Sequence, residues 1–163
     1  MRSNPVIRKD RRVKKNLDDA RRDYFDFELQ AKYLKIDKLI NNRKRDLLQT
    51  YEAQNMNMKK FDDMKVRGGS YTNHAENVAV AFASDPVVLK LEEFQKCVDE
   101  LLIKLEPDDR KIFELRWGYS KKDWTEIFEI MSNGDTGYLY RKQENINKRR
   151  EIILDNFTRL LGY

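Results

Sequence analysis

With 163 residues, the chain is long enough for one domain, or for one small domain and an extended element. Its composition, 37% charged and 40% hydrophobic, favours long solvated helices over one thick core. A lone cysteine, Cys97, excludes an intrachain disulfide, and one cysteine with one histidine cannot form a Cys/His zinc site. No apolar run approaches the roughly 18 residues of a membrane span, and no apolar stretch follows the basic N-terminus as in a signal peptide. We therefore expect a cytoplasmic protein without a metal, a cofactor or a membrane partner.

The net charge of +5 is distributed unevenly. Residues 1–67 hold 19 Lys and Arg against 11 Asp and Glu, residues 68–118 hold 6 against 10, and residues 119–163 hold 8 against 7. Basic ends around an acidic middle indicate that the ends contact a polyanion. The acidic residues of the middle form either a solvated face or a surface for basic patches of a polymerase or a second subunit; they include Glu92, Glu93, Asp99, Glu100 and Asp109.

The first 15 residues contain seven Lys and Arg. They predict either a basic arm that contacts phosphate or the solvated start of a helix.

From Asn16 to Lys60 there is no Pro or Gly, and the apolar residues form two stripes at helical spacing. The first stripe has the 3,4 spacing of a heptad seam and comprises Leu17, Ala20, Tyr24, Phe27, Ala31 and Leu34. The second comprises Phe25, Leu29, Tyr33, Ile36 and Ile40.

A two-stranded coiled coil requires only one apolar stripe on each helix, and this helix has two. We therefore expect this helix to pack on two neighbours, such as a helical hairpin partner and the second subunit of a homodimer. The alternative is an amphipathic helix that is buried within its own chain.

Residues 68–84 form the predicted linker, which begins with the turn-forming stretch from Gly68 to Asn73. The linker separates an N-terminal helical region, residues 1–67, from a C-terminal domain, residues 85–163. His74 lies in the linker and is expected to be an exposed loop histidine rather than a ligand or a base.

Asp85 and Pro86 begin the next predicted helix, as N-cap and first helical residue. Its apolar face is expected at Val87, Leu91, Phe94, Val98, Leu101, Leu102 and Leu105. Pro107 ends this helix, and Gly118 ends the shorter one that follows.

The last third of the chain carries the strongest functional pattern. Ser120 or Asp123 caps a short helix, and the turn residues from Ser132 to Asp135 follow it. A basic, amide-rich helix is then expected to begin at Asp135 or Thr136, with Leu139 inside. Arg and amide side chains match base edges in the major groove, whereas Lys and Tyr suit phosphates. The candidate DNA-binding residues are Thr136, Tyr138, Tyr140, Arg141, Lys142, Gln143, Asn145, Lys148, Arg149 and Arg150.

The segment from Leu105 to Met131, with its Leu-Glu-Pro-Asp-Asp-Arg start and Leu-Arg-Trp end, resembles region 4 of sigma-70-type factors. The endings Leu139-Tyr-Arg-Lys142 and Ile153-Leu-Asp-Asn-Phe157 resemble RinA/ArpU-type phage transcriptional regulators. The resemblance implies a sigma-like helix-turn-helix domain that activates phage or prophage late genes with host RNA polymerase in a bacterial host. The chain departs from that pattern by extra residues, 143–149. Either the final helix is longer by about two turns, or the recognition register is shifted.

These patterns predict an all-α protein that regulates transcription by sequence-specific binding to double-stranded DNA. Two alternatives stay open: a DNA-packaging protein of the small-terminase type, and a helical assembly protein that does not bind DNA. An enzyme is not expected, because the sequence has no nucleophile–base set, phosphate loop or metal-ligand spacing.

Overall fold

Seven α-helices and two 3₁₀ turns form the described part of this computed structural model. The backbone is described for residues 5–62 and 74–163, and the side chains for residues 17–54 and 75–163. The described residues include no β-strand, so the predicted all-α class is confirmed. The helices are α1 (Pro5–Lys32), α2 (Ile36–Asp62), α3 (His74–Ser84), α4 (Pro86–Lys104), α5 (Pro107–Trp117), α6 (Trp124–Ser132) and α7 (Gln143–Leu160).

The chain divides into two compact units that differ from the three segments expected from the sequence. The first unit combines residues 1–34 with residues 97–163, and the second consists of residues 35–96. The predicted linker start, residues 68–73, and residues 1–4 of the basic arm lie outside the described residues. Residues 74–84 of that linker form α3, because an alanine-rich stretch without Pro or Gly favours a helix.

The first unit joins the two ends of the sequence. Phe25 of α1 packs edge-to-face on Phe157 of α7, with ring centroids 5.8 Å apart. Leu29, one turn further along α1, is fully buried. Arg22 donates two hydrogen bonds, of 2.8 and 2.9 Å, to the carboxylate of Asp155 on α7. An apolar contact and a bidentate ion pair therefore hold α1 on α7.

Asp26 connects α1 to α5. Its carboxylate is buried and accepts hydrogen bonds from Arg116 at 3.2 Å and from the Trp117 indole at 2.9 Å. Burial disfavours the charged carboxylate, but the hydrogen bonds from Arg116, Trp117 and Gln30 outweigh it and hold the pKa of Asp26 below its ordinary value. This buried charge is therefore compensated by partners, as a charge inside a fold must be.

The second unit contains the predicted start of α4. Asp85 accepts hydrogen bonds from the backbone amides of Val87 and Val88, which confirms its role as N-cap. The Arg43 guanidinium of α2 makes a bidentate contact with the same carboxylate. Val88, and not Val87, is buried on this helix, so the apolar face is displaced by one residue at its start. Glu92 is paired with Lys44 at 2.7 Å, which neutralises part of the expected acidic surface.

The two stripes of the N-terminal helix have different environments. A 3₁₀ turn, Tyr33–Lys35, divides the predicted helix, so Phe25 and Leu29 of the second stripe lie on α1 whereas Ile36 and Ile40 lie on α2; all four are buried. In the first stripe, Leu17, Tyr24 and Phe27 are each more than half exposed. The second stripe is therefore covered within the chain. Leu17, Tyr24 and Phe27 of the first stripe have no cover among the described residues, whereas Ala31 and Leu34 are half-buried. No described helix has the length and apolarity to cross a membrane.

Candidate nucleic-acid interface

The connection between α6 and α7 is longer than predicted. Asp123 caps the start of α6 through a reciprocal capping box. Its carboxylate accepts a hydrogen bond from the backbone amide of Glu126, and the Glu126 carboxylate accepts one from the backbone amide of Asp123. α6 ends at Ser132 and α7 begins at Gln143, so ten residues separate them. A compact helix-turn-helix has a turn of three or four residues. The expected start of the last helix at Asp135 or Thr136 is therefore wrong.

A 3₁₀ turn, Gly137–Tyr140, occupies the position where the sequence predicted the first turn of the reading helix. Lys142 then adopts an extended conformation, with φ −127° and ψ 138°, and the helical register restarts at Gln143. A 3₁₀ turn has three residues per turn rather than 3.6, and the extended residue rotates the chain again. As a result Leu139, expected inside, is 47% exposed, whereas Tyr140, expected outside, is buried.

Tyr140 fastens this connection to α5. Its hydroxyl donates to the Asp108 carboxylate at 2.8 Å. Burial and this neighbouring carboxylate raise the pKa of Tyr140 well above its ordinary value, so the phenol stays protonated and keeps donating. Asn145 acts from the other side, because its amide donates to the Leu139 carbonyl at 2.7 Å. Tyr140 and Asn145 thus have intramolecular partners.

Arg149 also bonds within the protein. Its guanidinium donates two hydrogen bonds of 2.5 Å to the carboxylate of Asp109 on α5. Asp109 is only 3% exposed, so it does not belong to the acidic surface that the sequence suggested. Burial raises the pKa of Asp109 above its ordinary value, although Arg149 acts in the opposite direction. The Arg149–Asp109 pair therefore joins α7 to α5.

Arg150 bonds carboxylates of α1 rather than of α5. It donates to Asp23 at 2.6 Å and lies near Asp26 at 3.5 Å, both on α1. The guanidinium also lies over the Trp124 ring, 5.6 Å from its centroid, while Arg116 lies 5.1 Å from that centroid. Such cation–π contacts favour a fixed guanidinium. Arg150 thus links α1, α6 and α7.

The other candidate residues form an exposed cluster at the start of α7. Arg141, Lys142, Gln143 and Lys148 are exposed, and Tyr138 is 65% exposed; Thr136 is half-buried beside them. Within the described parts of the chain, no ion pair engages the three cations of this cluster. We call Tyr138, Arg141, Lys142, Gln143, Asn147 and Lys148 the α7 surface.

Asn147 was not among the candidate residues. It lies four residues after Gln143 and is exposed, so the two amides share a helical face. The i,i+4 spacing could have identified it, had the helix been expected to begin at Gln143. Residues 143–149 form the first two turns of α7, and Leu139–Lys142 lie before it.

An open groove of about 650 Å³ lies beside the α7 surface. Pro107, Leu139 and Ile152 supply apolar walls, and Lys148 contributes a charge. Among the described residues no group of acidic, histidine or cysteine side chains could hold a metal ion.

No protein-family profile, curated protein or solved structure matches this chain. The resemblance to sigma-like phage regulators stays a hypothesis.

Proposed function

We propose that this protein is a sequence-specific DNA-binding regulator of transcription and that the α7 surface contacts the DNA. The observation that carries the proposal is the separation of the basic residues of this region into two groups. Arg149 is held by the buried carboxylate of Asp109, and Arg150 by the exposed carboxylate of Asp23 with the buried Asp26 3.5 Å away. Arg141, Lys142 and Lys148 are exposed beside two amides and a tyrosine. The second group has the side-chain chemistry of a surface that binds phosphates and reads bases.

The proposed division of labour follows from side-chain geometry. Arg141 precedes α7 and presents a planar fork, which can make two hydrogen bonds to guanine. Asn147 offers an amide that matches adenine. Gln143 offers another when its Nε2 leaves the Trp124 carbonyl, to which it donates at 3.4 Å. Lys142 and Lys148 are point charges that suit phosphates, and the first amides of α7 favour an anion in the same place. A base-reading face flanked by phosphate contacts is thereby formed within two turns.

Phosphate contacts make the affinity depend on salt. Three cations neutralise few phosphates, and residues 119–163 have a net charge of only +1. The α7 surface alone would bind duplex DNA weakly at physiological salt. The basic residues 1–15 would add to the non-specific part of the affinity, if they also contact phosphates.

The resemblance adds the biological setting to this proposal. In that setting, the regulator activates late genes of a phage or prophage together with host RNA polymerase in the bacterial cytoplasm. The ten-residue connection between α6 and α7 is a departure from a compact helix-turn-helix. The protein would therefore present its reading helix through a longer, tethered connection.

The experiment is selection of bound sequences from random duplex DNA, followed by mobility shifts at several salt concentrations. We expect Arg141→Ala to lose about 1–3 kcal/mol on the selected site and to relax the preference at one position. Lys148→Ala should weaken all duplexes alike and reduce the salt slope by about one. Lys90→Ala, at an exposed lysine of α4, is the charge-matched control. Absence of duplex binding even at low salt would sink the proposal and leave the helical assembly role.

The small-terminase alternative predicts a ring of many subunits rather than a monomer or dimer. Light scattering on the purified full chain distinguishes it. A ring would redirect the DNA-binding proposal from promoters to packaging.

A further inference from the structure

The first apolar stripe of α1 lies on the surface of the first unit. Leu17 and Phe27 are each 66% exposed, Tyr24 is 56% exposed, and Ala20 is exposed between them. Single exposed apolar residues are ordinary, but these four continue one another at a/d heptad spacing. The opposite face of α1 is already buried through Phe25 and Leu29. The stripe therefore has the form of a helix seam whose second helix is absent from the part of the chain that the structure describes.

We propose that a second copy of this chain covers the stripe, with the two α1 helices antiparallel around a two-fold axis. The charges beside the stripe select this orientation. Arg21 and Glu28 occupy the e positions of successive heptads, and e positions face each other in an antiparallel pair. Arg21 then meets Glu28 of the partner subunit, and symmetry repeats the pair. A parallel pair would instead bring Asp23 against Glu28 of the partner subunit, which are like charges.

Side-chain size supports the same arrangement. If Tyr24 faces Phe27 of the partner subunit, the alanines Ala20 and Ala31 face each other at both ends. Aromatic side chains then fill the centre of the interface, and small side chains allow the backbones to approach on either side. A two-fold interface must be self-complementary in this way, because the same patch meets itself.

This dimer goes beyond DNA binding, because it requires no DNA and can be measured without it. The first measurement is sedimentation equilibrium of the full chain over a range of concentrations. We expect a reversible monomer–dimer equilibrium, and a shift of at least tenfold toward monomer for Phe27→Lys. Ile103→Lys, at an exposed apolar residue of α4 outside the stripe, is the matched control and should leave the equilibrium unchanged. Circular dichroism checks that each variant is folded.

The second measurement tests orientation. Arg21→Glu and Glu28→Arg should each weaken an antiparallel dimer, and the double exchange should restore it. In a parallel dimer, Glu28→Arg would face Asp23 of the partner subunit and strengthen association. As a second readout, Ala20→Cys chains mixed with Ala31→Cys chains should form a mixed disulfide; the parent chain controls for the buried Cys97.

Three results would overturn the proposal. The parent chain could stay monomeric at every concentration, which would leave the stripe to another partner or to solvent. The dimer could persist unchanged in Phe27→Lys, which would place the interface elsewhere. Disulfides between two Ala20→Cys chains, without the mixed product, would show that the two α1 helices are parallel.

Discussion

Arg149 and Asp109 form a bidentate ion pair with two 2.5 Å hydrogen bonds, although Arg149 lies next to the exposed Lys148 on the same helix. Of these two neighbouring cations, Arg149 has a structural role, and Lys148 is the one that we propose binds DNA. Asp109 is buried, so removal of Arg149 leaves a carboxylate without its partner.

We expect Arg149→Met to lower the free energy of unfolding by about 2 kcal/mol or more, the usual cost of an uncompensated buried charge. Lys148→Met should stay within about 0.5 kcal/mol of the parent. Urea unfolding at pH 7 measures both. Equal urea midpoints for the two variants would show that the pair contributes nothing.

The same variant should have a characteristic pH dependence. Burial raises the pKa of Asp109, and removal of Arg149 takes away the interaction that opposes the rise. A carboxyl whose pKa is raised on folding binds its proton more readily in the folded state, so its protonation stabilises the fold at low pH. The loss in the free energy of unfolding caused by Arg149→Met should therefore be smaller at pH 4 than at pH 7. An equal deficit at both pH values would contradict this account.

Asp85 should behave in the opposite sense. Its hydrogen bonds with Arg43 and with the first amides of α4 hold its pKa at about 2, below the ordinary value. Because the folded pKa is depressed, the stabilisation is complete at neutral pH and is lost as the pH falls from about 5 toward 2.

Thermal melts of two substitutions test this arrangement. Asp85→Asn retains the N-cap acceptor and loses the ion pair with Arg43, so its Tm should fall less at pH 7 than that of Asp85→Ala. The Tm difference between the parent and Asp85→Asn should shrink as the pH approaches 2. A difference that does not change with pH would argue against a role for the ionised carboxylate.

Gly137 should not tolerate a side chain. A Cβ at this position would lie 2.1 Å from the Ser132 carbonyl oxygen, which is backbone at the end of α6. Gly137→Ala must therefore displace the 3₁₀ turn, and we expect it to destabilise the first unit and weaken DNA binding together. Gly134→Ala is the matched control, since its Cβ would meet the Lys111 ammonium at 3.5 Å and two backbone carbonyl oxygens at 3.6 Å, all at ordinary van der Waals distances. Hydrogen exchange of the α6–α7 connection would reveal the displacement.

The end of α7 depends on a second glycine. Gly162 has φ +83°, and the Tyr163 amide donates back to the Thr158 carbonyl, as in a Schellman motif. This turn places the Tyr163 ring 5.6 Å from that of Phe25. Gly162→Ala should cost about 1 kcal/mol through backbone strain alone, because open space surrounds the site. Gly162→Asn should cost less in the same denaturant titration.

The sequence predicted which helix ends are capped better than it predicted where α7 begins. The N-caps Asp85 and Asp123, and the helix end before Gly118, follow from local chemistry and were confirmed. The predicted start of α7 was wrong: Gly137–Tyr140 form a 3₁₀ turn, and the helix begins only after the extended Lys142. Its conformation depends on the tertiary hydrogen bonds of Tyr140 and on the Asn145 side chain.

Ion pairs were also beyond sequence reasoning. Arg149 and Arg150 look like a basic patch in the sequence, together with Lys148. Their carboxylate partners lie 40 and 127 residues away, and no local pattern connects them. A cationic run therefore overstates the charge that a folded helix has available for a ligand.

The contact between Phe25 and Phe157 has a consequence for the order of folding. Most of the sequence lies between these two residues, and contacts between residues so far apart along the chain form slowly. During synthesis the residues of α1 must wait for α7, whereas residues 35–96 can form their own contacts earlier. In the interval the buried face of α1, with Phe25 and Leu29, has no native cover. Chaperone demand should therefore fall mainly on the period before α7 is made.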